Sequence, residues 1–494
     1  MFTSEAPITE QSAVTLAAAI RAGALSAREV IDAHIEVLER VNPTVNAVVV
    51  PRYDAARREA DRADALVAGA SAAELPPLLG VPLTVKESVA VAGLPNTAGV
   101  VARRGITATQ NATVVQRLVD AGAITLGLTN TSEACMWTET RNRVYGRTNN
   151  AYDHRRSAGG SSGGEGAAIG SGATPIGLGT DTLGSIRIPA QCNGVFGHRP
   201  STGLVPLTGS WPPPYGVAKM CVNGPMARRA EDLMPLLRIM AGPDGVDPLV
   251  HPMELPDPDR ALLRGVRVTL IDDAFPPGSA REMLRARDRA AAALETAGAT
   301  IEYRSLKSLR NIGFLTTMVL AEETGRRFAD VMNEQGARPL ALRELCAPRG
   351  NHTAPMRALV IGERFESLLP KRLVRQLVQT AHAIEDAMGE AIRDGLVLHP
   401  TTASVAPRHG TTTAQPWRAN GVAAFSLAGL PVTQVPLGFA PNGLPLGVQV
   451  AGQLGHDHLT IAAAVELERA FGGWIPPHRT RANANEARTA ETRN

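Results

Sequence analysis

Two serines stand out by their surroundings. Ser161 lies in Ser157-Ala-Gly-Gly-Ser-Ser-Gly-Gly-Glu-Gly-Ala-Ala168, and Ser185 in Gly177-Leu-Gly-Thr-Asp-Thr-Leu-Gly-Ser-Ile-Arg-Ile-Pro-Ala190. They are 24 residues apart, each on a glycine-rich turn. Glycine at this density loses much chain entropy on folding. Its use here points to a backbone that approaches a ligand closely or takes up a conformation other residues resist. Two hydroxyls presented in this way could serve as a nucleophile and its proton relay.

Rival readings of the same stretch are weaker. Ile169, Ile176, Leu178, Ile186 and Ile188 interleave with the glycines, which argues against a flexible linker. A phosphate cradle at a helix N-terminus would be marked by G-x-x-x-x-G-K-S/T or G-x-G-x-x-G, and the stretch holds neither. Gly159-Gly-Ser161-Ser-Gly163 does satisfy G-x-S-x-G, the elbow that presents a nucleophile at the end of a buried strand. The preceding His154-Arg-Arg-Ser157 is no such strand.

The elements around these turns read as α/β. Residues 12–40 are predicted helical, with a capping box at Ser26-Ala-Arg-Glu29 and a stop at Asn42-Pro43; a second helix is predicted over 52–70. Gly80-Val-Pro-Leu-Thr-Val85 reads as a strand ending at Lys86. A helix over 113–121 and a strand over 123–127 follow it, and strand–helix–strand recurs over 266–303, with later strands near 396–398, 432–437 and 446–451. Asp457 is predicted to cap a helix ending near Gly472. Alternating strands and helices predict a sheet covered by helices on both faces. The expected domain division is an N-terminal helical segment at 1–75, a main domain at 76–480 with a mostly helical insertion at about 304–395, and a polar, aperiodic tail at 481–494. At roughly 150 residues per domain, the 494 residues would allow about three domains.

Composition excludes several classes. Fifty Lys and Arg against 47 Asp and Glu leave a net charge of +3, which gives no electrostatic case for nucleic acid or an anionic membrane. Aromatic residues make up only 4%, too few for base-stacking platforms. Cys135, Cys192, Cys221 and Cys346 form no C-x-x-C pair and read as reduced, mostly buried thiols. No run of roughly 18 apolar residues is present to span a bilayer. The start, Met1-Phe-Thr-Ser-Glu-Ala-Pro, lacks the pattern of a signal peptide. A cytoplasmic location is the expectation. The eleven histidines form no metal set; His456-Asp-His458 is the one close pair, at a predicted helix cap.

Gly80-Val-Pro-Leu-Thr-Val-Lys86-Glu87, Gly159-Gly-Ser-Ser-Gly-Gly164 and Gly179-Thr-Asp-Thr-Leu-Gly-Ser-Ile-Arg-Ile-Pro189 together resemble the amidase signature family. Asn42-Pro-Thr-Val-Asn46, Gly224-Pro-Met-Ala-Arg228 and Leu427-Ala-Gly-Leu-Pro431 extend the resemblance over about 40–480. It implies the amidase signature fold, with a central mixed, twisted sheet. It implies a Ser–Ser–Lys triad: Ser185 as nucleophile, Ser161 as the bridging serine on a cis peptide bond after Gly160, and Lys86 as base. A lysine can act as base only if it is held neutral, which burial favours. The resemblance also implies an oxyanion hole from the N–H groups of Thr182, Leu183, Gly184 and Ser185. No cofactor and no metal are implied.

The chain departs from the family's commonest Asp-Thr-Gly-Gly-Ser at Leu183. Either the position needs a positive φ and the leucine is strained, or its side chain narrows the acyl pocket; the second reading is preferred. Asp181 and Arg187 are read as structural ligands of the loop, and Ser162 as either a core hydrogen-bonding group or a helix cap. Lys86-Glu87 and Gly164-Glu-Gly-Ala167 look closer to the branch of fatty-acid amide hydrolases than to the tRNA-dependent amidotransferase subunit. Ile188 stands where that subunit usually has Gln, which argues against glutamine as substrate and against a tRNA-linked partner.

Met136, Trp137, Gly159 and Gly160 are the expected substrate-binding residues, and Trp211-Pro-Pro-Pro-Tyr215 a possible entrance wall. The expected activity is hydrolysis of a small carboxamide, anilide or carbamate through an acyl-enzyme, with mild preference for an apolar or aromatic acyl group. The chain shows no anchoring helix of the kind membrane-bound relatives carry, which argues against lipids drawn from a bilayer. A monomer or homodimer is expected. The alternative is a non-hydrolysing or partner-dependent subunit of an amidotransferase-like assembly.

Overall fold

Eleven strands pair into one mixed sheet. In this computed structural model the described residues are 6–213, 219–271, 275–276, 278, 280–324, 329, 350–366 and 368–480. The tail predicted at 481–494, Cys346, Pro214 and Tyr215 lie outside them, as does part of the 304–395 segment.

In chain order the strands are β1 (Val48–Pro51), β2 (Pro82–Lys86), β3 (Ile124–Thr129), β4 (Ile176–Asp181), β5 (Phe196–Arg199) and β6 (Val222–Ala227). They continue with β7 (Arg267–Ile271), β8 (Thr300–Arg304), β9 (Gly395–His399), β10 (Val432–Phe439) and β11 (Pro445–Gly452). Across the sheet the order is β1-β3-β2-β4-β6-β5-β10-β11-β9-β7-β8. β2 runs parallel to β3 and β4, and β7 parallel to β8 and β9; the other neighbours are antiparallel.

Every residue of β2, β3, β5, β6, β9 and β11 is buried. Strands buried on both faces need cover on both sides. The Gly163–Gly170 helix packs on β2, β3 and β4, Arg281–Thr296 on β9 and β11, and Asp457–Phe471 on β10 and β11. The α/β reading of the sequence matches this architecture.

The N-terminal segment differs from its sequence reading. The span 12–40 divides into Ala13–Arg21 and Ala27–Val45, the second opened by the expected capping box of Ser26 and Glu29. Asn42-Pro43 does not stop that helix. Proline in a last turn forfeits one backbone bond, and the Asn42 side chain takes over the exit by accepting from Ala47 N at 2.8 Å and Val48 N at 2.9 Å. Asn46, at φ 51°, then ends the helix. The β-branched run after it forms β1, which pairs with β3 at the edge of the sheet.

The described helices within 304–395 are Ile312–Thr324, Ala354–Glu366 and Lys371–Ile392. Ile312, Leu315, Ala381, Ile384 and Met388 share an apolar cluster with Phe425 and Leu427 of the Asn420–Leu427 helix.

Candidate active site

Lys86 ends β2, where alternation puts Thr84 and Lys86 on one face of the strand. The side chain is fully buried. Its Nζ donates to Ser161 Oγ at 2.6 Å and to Thr180 Oγ1 at 2.7 Å. Burial holds the Lys86 amine below its ordinary basicity, while the Cys135 thiol, Asp181 and Glu165 pull the other way. Thr180, Cys135 and Glu165 were not assigned roles from sequence. The signal for Glu165 was a carboxyl inside a run of glycine and alanine with no solvent-facing neighbour.

Ser161 follows a cis peptide bond from Gly160. Gly159 sits at φ 78°, and a Cβ there would lie 2.8 Å from Pro189 Cα. A Cβ on Gly160 would lie 2.5 Å from the Trp137 carbonyl oxygen. These two glycines let the turn press between the 137–139 segment and the Arg187–Cys192 helix. Ser162 N donates to the Ser185 carbonyl at 3.1 Å, so the backbone ties the two serine motifs together. The Ser162 hydroxyl does not cap the Gly163–Gly170 helix. It donates to Thr180 O and accepts from Thr180 N, both at 3.3 Å, which is the core role of the two foreseen.

The loop after β4 carries half-buried Ser185. Asp181 and Arg187 are both fully buried and pair at 3.0 Å. Asp181 also accepts from Gly184 N at 2.7 Å and Ile186 N at 3.1 Å, while Arg187 reaches Ser426 Oγ at 2.6 Å and Gln449 Oε1 at 2.9 Å. Burial alone would raise the Asp181 carboxyl. Arg187, Arg199 and the Gly184 N–H outweigh it and hold the group well below the usual carboxylate range. These two residues hold the loop.

The same bonds amend one expectation. Of the four N–H groups assigned to an oxyanion hole, that of Gly184 is turned to Asp181. Gly184 takes φ 95°, and a Cβ there would lie 2.5 Å from Val422 Cγ2, so glycine is needed. Leu183 is not among the residues with positive φ. The strained reading of that leucine does not hold; its side chain packs against the apolar cluster that includes Met220 and Phe425.

Met136 packs beside Ala98, Val100, Ala134, Trp211 and Met356. Glu133, three residues earlier, receives His352 Nδ1 at 2.6 Å and Thr353 N at 2.7 Å, docking the start of the Ala354–Glu366 helix beside this cluster. Trp137 donates its ring N–H to Thr412 Oγ1 at 2.8 Å. Thr138, Ile188, Cys192, Thr412, Gln415 and Arg418 help line a small cleft. In that cleft Gln415 Oε1 and Arg418 Nε are buried with no hydrogen-bond partner among the described residues. Cys135, Cys192 and Cys221 are free thiols, and no group of metal-ligating side chains occurs among the described residues.

Residues 29–461 match the family model described as Amidase. The chain belongs to the amidase family. This amidase is 39% identical over 489 residues to fatty-acid amide hydrolase 2-B of Danio rerio, across 95% of this chain and 91% of that protein. It is 31% identical over 481 residues to a glutamyl-tRNA(Gln) amidotransferase subunit from a Synechococcus species, across 91% of this chain and 94% of that one. The solved structure of a bacterial aryl acylamidase of the amidase signature family superimposes with a TM-score of 0.80 at 25% identity, covering 96% of this chain and 98% of that one. The protein is an amidase-signature amide hydrolase, nearer to the fatty-acid amide hydrolases than to the tRNA-dependent amidotransferases. Among the described residues no helix of the amidase is long and apolar enough to cross a membrane.

Proposed function

We propose that the amidase cleaves small carboxamides, anilides or carbamates through an acyl-enzyme on Ser185, with Ser161 as relay and Lys86 as base. The observation that carries this reading is the 2.6 Å contact between Lys86 Nζ and Ser161 Oγ at a fully buried site. A buried amine with no carboxylate in direct contact favours its neutral form, and a neutral amine can take a hydroxyl proton. Ser185 Oγ then attacks the carbonyl carbon as its proton passes to Ser161 and the Ser161 proton passes to Lys86. Collapse of the tetrahedral adduct breaks the C–N bond. The leaving amine takes a proton from Ser161, which Lys86 replenishes. Water repeats the sequence on the ester and frees the acid.

The developing oxyanion is placed against the N–H groups of Thr182, Leu183 and Ser185, the donors left once Gly184 serves Asp181. The acyl group is placed near Met136, Trp137, Gly159 and Gly160, and the apolar cluster around Met136 and Trp211 supports an apolar or aromatic group. The chemistry calls for no cofactor or metal. We further propose one main domain at 76–480 and a monomeric or homodimeric protein in the cytoplasm.

The test is intact-mass labelling with a small fluorophosphonate and peptide mapping, on the wild type, Ser185→Ala and Lys86→Ala. A single adduct on Ser185 that requires Lys86 is expected. An adduct on Ser161 would overturn the assignment of roles, and folded protein with no adduct would overturn the activated serine.

A further inference from the structure

Glu165 is a fully buried carboxyl that no step of the proposed reaction uses. It lies within the Gly163–Gly170 helix, and both of its oxygens are occupied. Oε2 accepts from Thr84 Oγ1 at 2.6 Å, and Oε1 accepts from Thr129 Oγ1 at 2.7 Å. These two threonines bracket Lys86. Thr84 precedes it by two residues on the same face of β2, and Thr129 is its register partner on β3. A Cβ on Gly177 of β4 would overlap Glu165 Oε2, so the glycine there leaves room for the carboxyl. Three strands and a helix thus converge to hold one acid behind the stem of the proposed base.

Packing alone does not account for an acid at this place. No lysine or arginine forms an ion pair with Glu165 among the described residues, and burying an ionisable group without one is costly. The charge that Glu165 does feel is that of Lys86, and Lys86 in turn feels Glu165. The other titratable groups acting on Lys86 are the Cys135 thiol and Asp181, and Asp181 is already committed to Arg187 and Arg199. Glu165 is therefore the carboxyl near Lys86 that has no cation of its own.

We infer that Glu165 is a positioning residue that sets the proton occupancy of Lys86, through the carboxyl held by Thr84 and Thr129 behind it. This rests on the reading of Lys86 as the base. An ionised carboxylate favours the ammonium form of Lys86 and removes the free base; a protonated one leaves the amine neutral. Burial pushes the Glu165 carboxyl up to about 8 and the Lys86 amine down, so the two groups titrate as a pair. The pair makes the amine more basic at the cost of needing a higher pH to be free.

The sign of the test follows. Where the Glu165 carboxyl is ionised, Glu165→Gln removes the charge that holds the proton on Lys86, so in that range free Lys86 persists to lower pH. The acid limb of kcat/KM for an anilide should move to the acid side by about one pH unit, the lower end of the effect of a neighbouring opposite charge. The plateau kcat should fall, because the amine is a weaker base. Thr84→Val, which takes a hydrogen bond from the carboxylate, should move the limb in the same direction. Glu165→Asp keeps the charge and should leave the limb near the wild-type position. A limb unmoved in both Glu165→Gln and Thr84→Val overturns the inference and reduces Glu165 to packing. Should Glu165→Gln fail to fold, Thr84→Val decides alone. Lys86→Ala serves as the control: activity that survives it overturns the base assignment and this inference together. An inactive Lys86→Ala with unmoved limbs overturns this inference alone.

Discussion

Asp181 and Arg187 pair at 3.0 Å without solvent access, inside the loop that carries Ser185. The same carboxylate fixes the backbone on both sides of that serine through Gly184 N and Ile186 N. The ion pair is thus also the scaffold of the proposed nucleophile, and Arg199 is a second buried cation facing it.

Asp181→Asn should therefore cost both stability and activity. Leaving buried Arg187 and Arg199 without their counter-charge is expected to destabilise the fold by about 3–5 kcal/mol. Urea denaturation gives the loss directly, and fluorophosphonate labelling of the remaining folded protein should be slowed. A variant as stable as the wild type would show that the charge, as distinct from the hydrogen bonds, is dispensable.

Gly159→Ala tests the close approach beneath the serines. The position has φ 78°, and the new Cβ would meet Pro189 Cα at 2.8 Å. The left-handed backbone costs about 1–2 kcal/mol for an L-residue, and the overlap with unyielding backbone about 1–3 kcal/mol more. Thermal unfolding should show a lowered Tm. Gly410→Ala, also at positive φ but in open space, should lose only the backbone share.

What the sequence made legible was local. Glycines at 159, 160 and 184, the apolar strand before Lys86 and the capping box at Ser26 each act within a few residues, and each was found where it was read. Thr180 could not be read as a Lys86 partner, because that contact spans 94 residues and depends on β2 and β4 lying side by side. Thr129 and Glu165 escaped for the same reason. The engagement of Gly184 by Asp181 was hidden too, since the motif shows which N–H groups exist and not where they point. Pro43 misled because a proline signal does not distinguish a helix end from its last turn.

Glu87 should make stability fall with rising pH. Its buried carboxyl accepts from Thr97 N at 2.6 Å and Tyr145 Oη at 2.9 Å, and burial pushes it up to about 7 despite those bonds. A carboxyl raised above its unfolded value stabilises most below the unfolded value near 4.5, and that contribution is lost as pH rises through about 7. Glu165 and Asp232, raised to about 8 and about 7, act in the same direction. Urea midpoints for the wild type should decline between pH 5 and 8, the range those values set. Glu87→Gln should decline less steeply. Parallel slopes would mean that Glu87 is already ionised in the folded protein at pH 5.

Glu133→Gln addresses the docking of the Ala354–Glu366 helix. Both Glu133 oxygens are used, on His352 Nδ1 and Thr353 N, next to the cluster of Met136 and Trp211. The amide keeps one acceptor and sets its N–H₂ against the other donor, which costs about 1–3 kcal/mol for an unmet buried group. If this helix borders the acyl site, KM for apolar amides should rise several-fold while kcat changes little. Equal losses in kcat and kcat/KM would place the contact in the chemistry instead.

Leu183→Gly separates strain from selectivity. Leu183 is not at positive φ, so glycine relieves nothing there. It adds about 0.5–1 kcal/mol of lost chain entropy and forfeits the contact with the cluster of Met220 and Phe425. Stability should therefore fall. If the leucine side chain narrows the acyl pocket, the variant should also gain on bulky acyl groups relative to small ones, by about tenfold where a methylene or two decides the fit. The measurement is kcat/KM over a series of anilides of increasing acyl size. A lower Tm with an unchanged size ratio would place Leu183 in the core and take it out of the pocket.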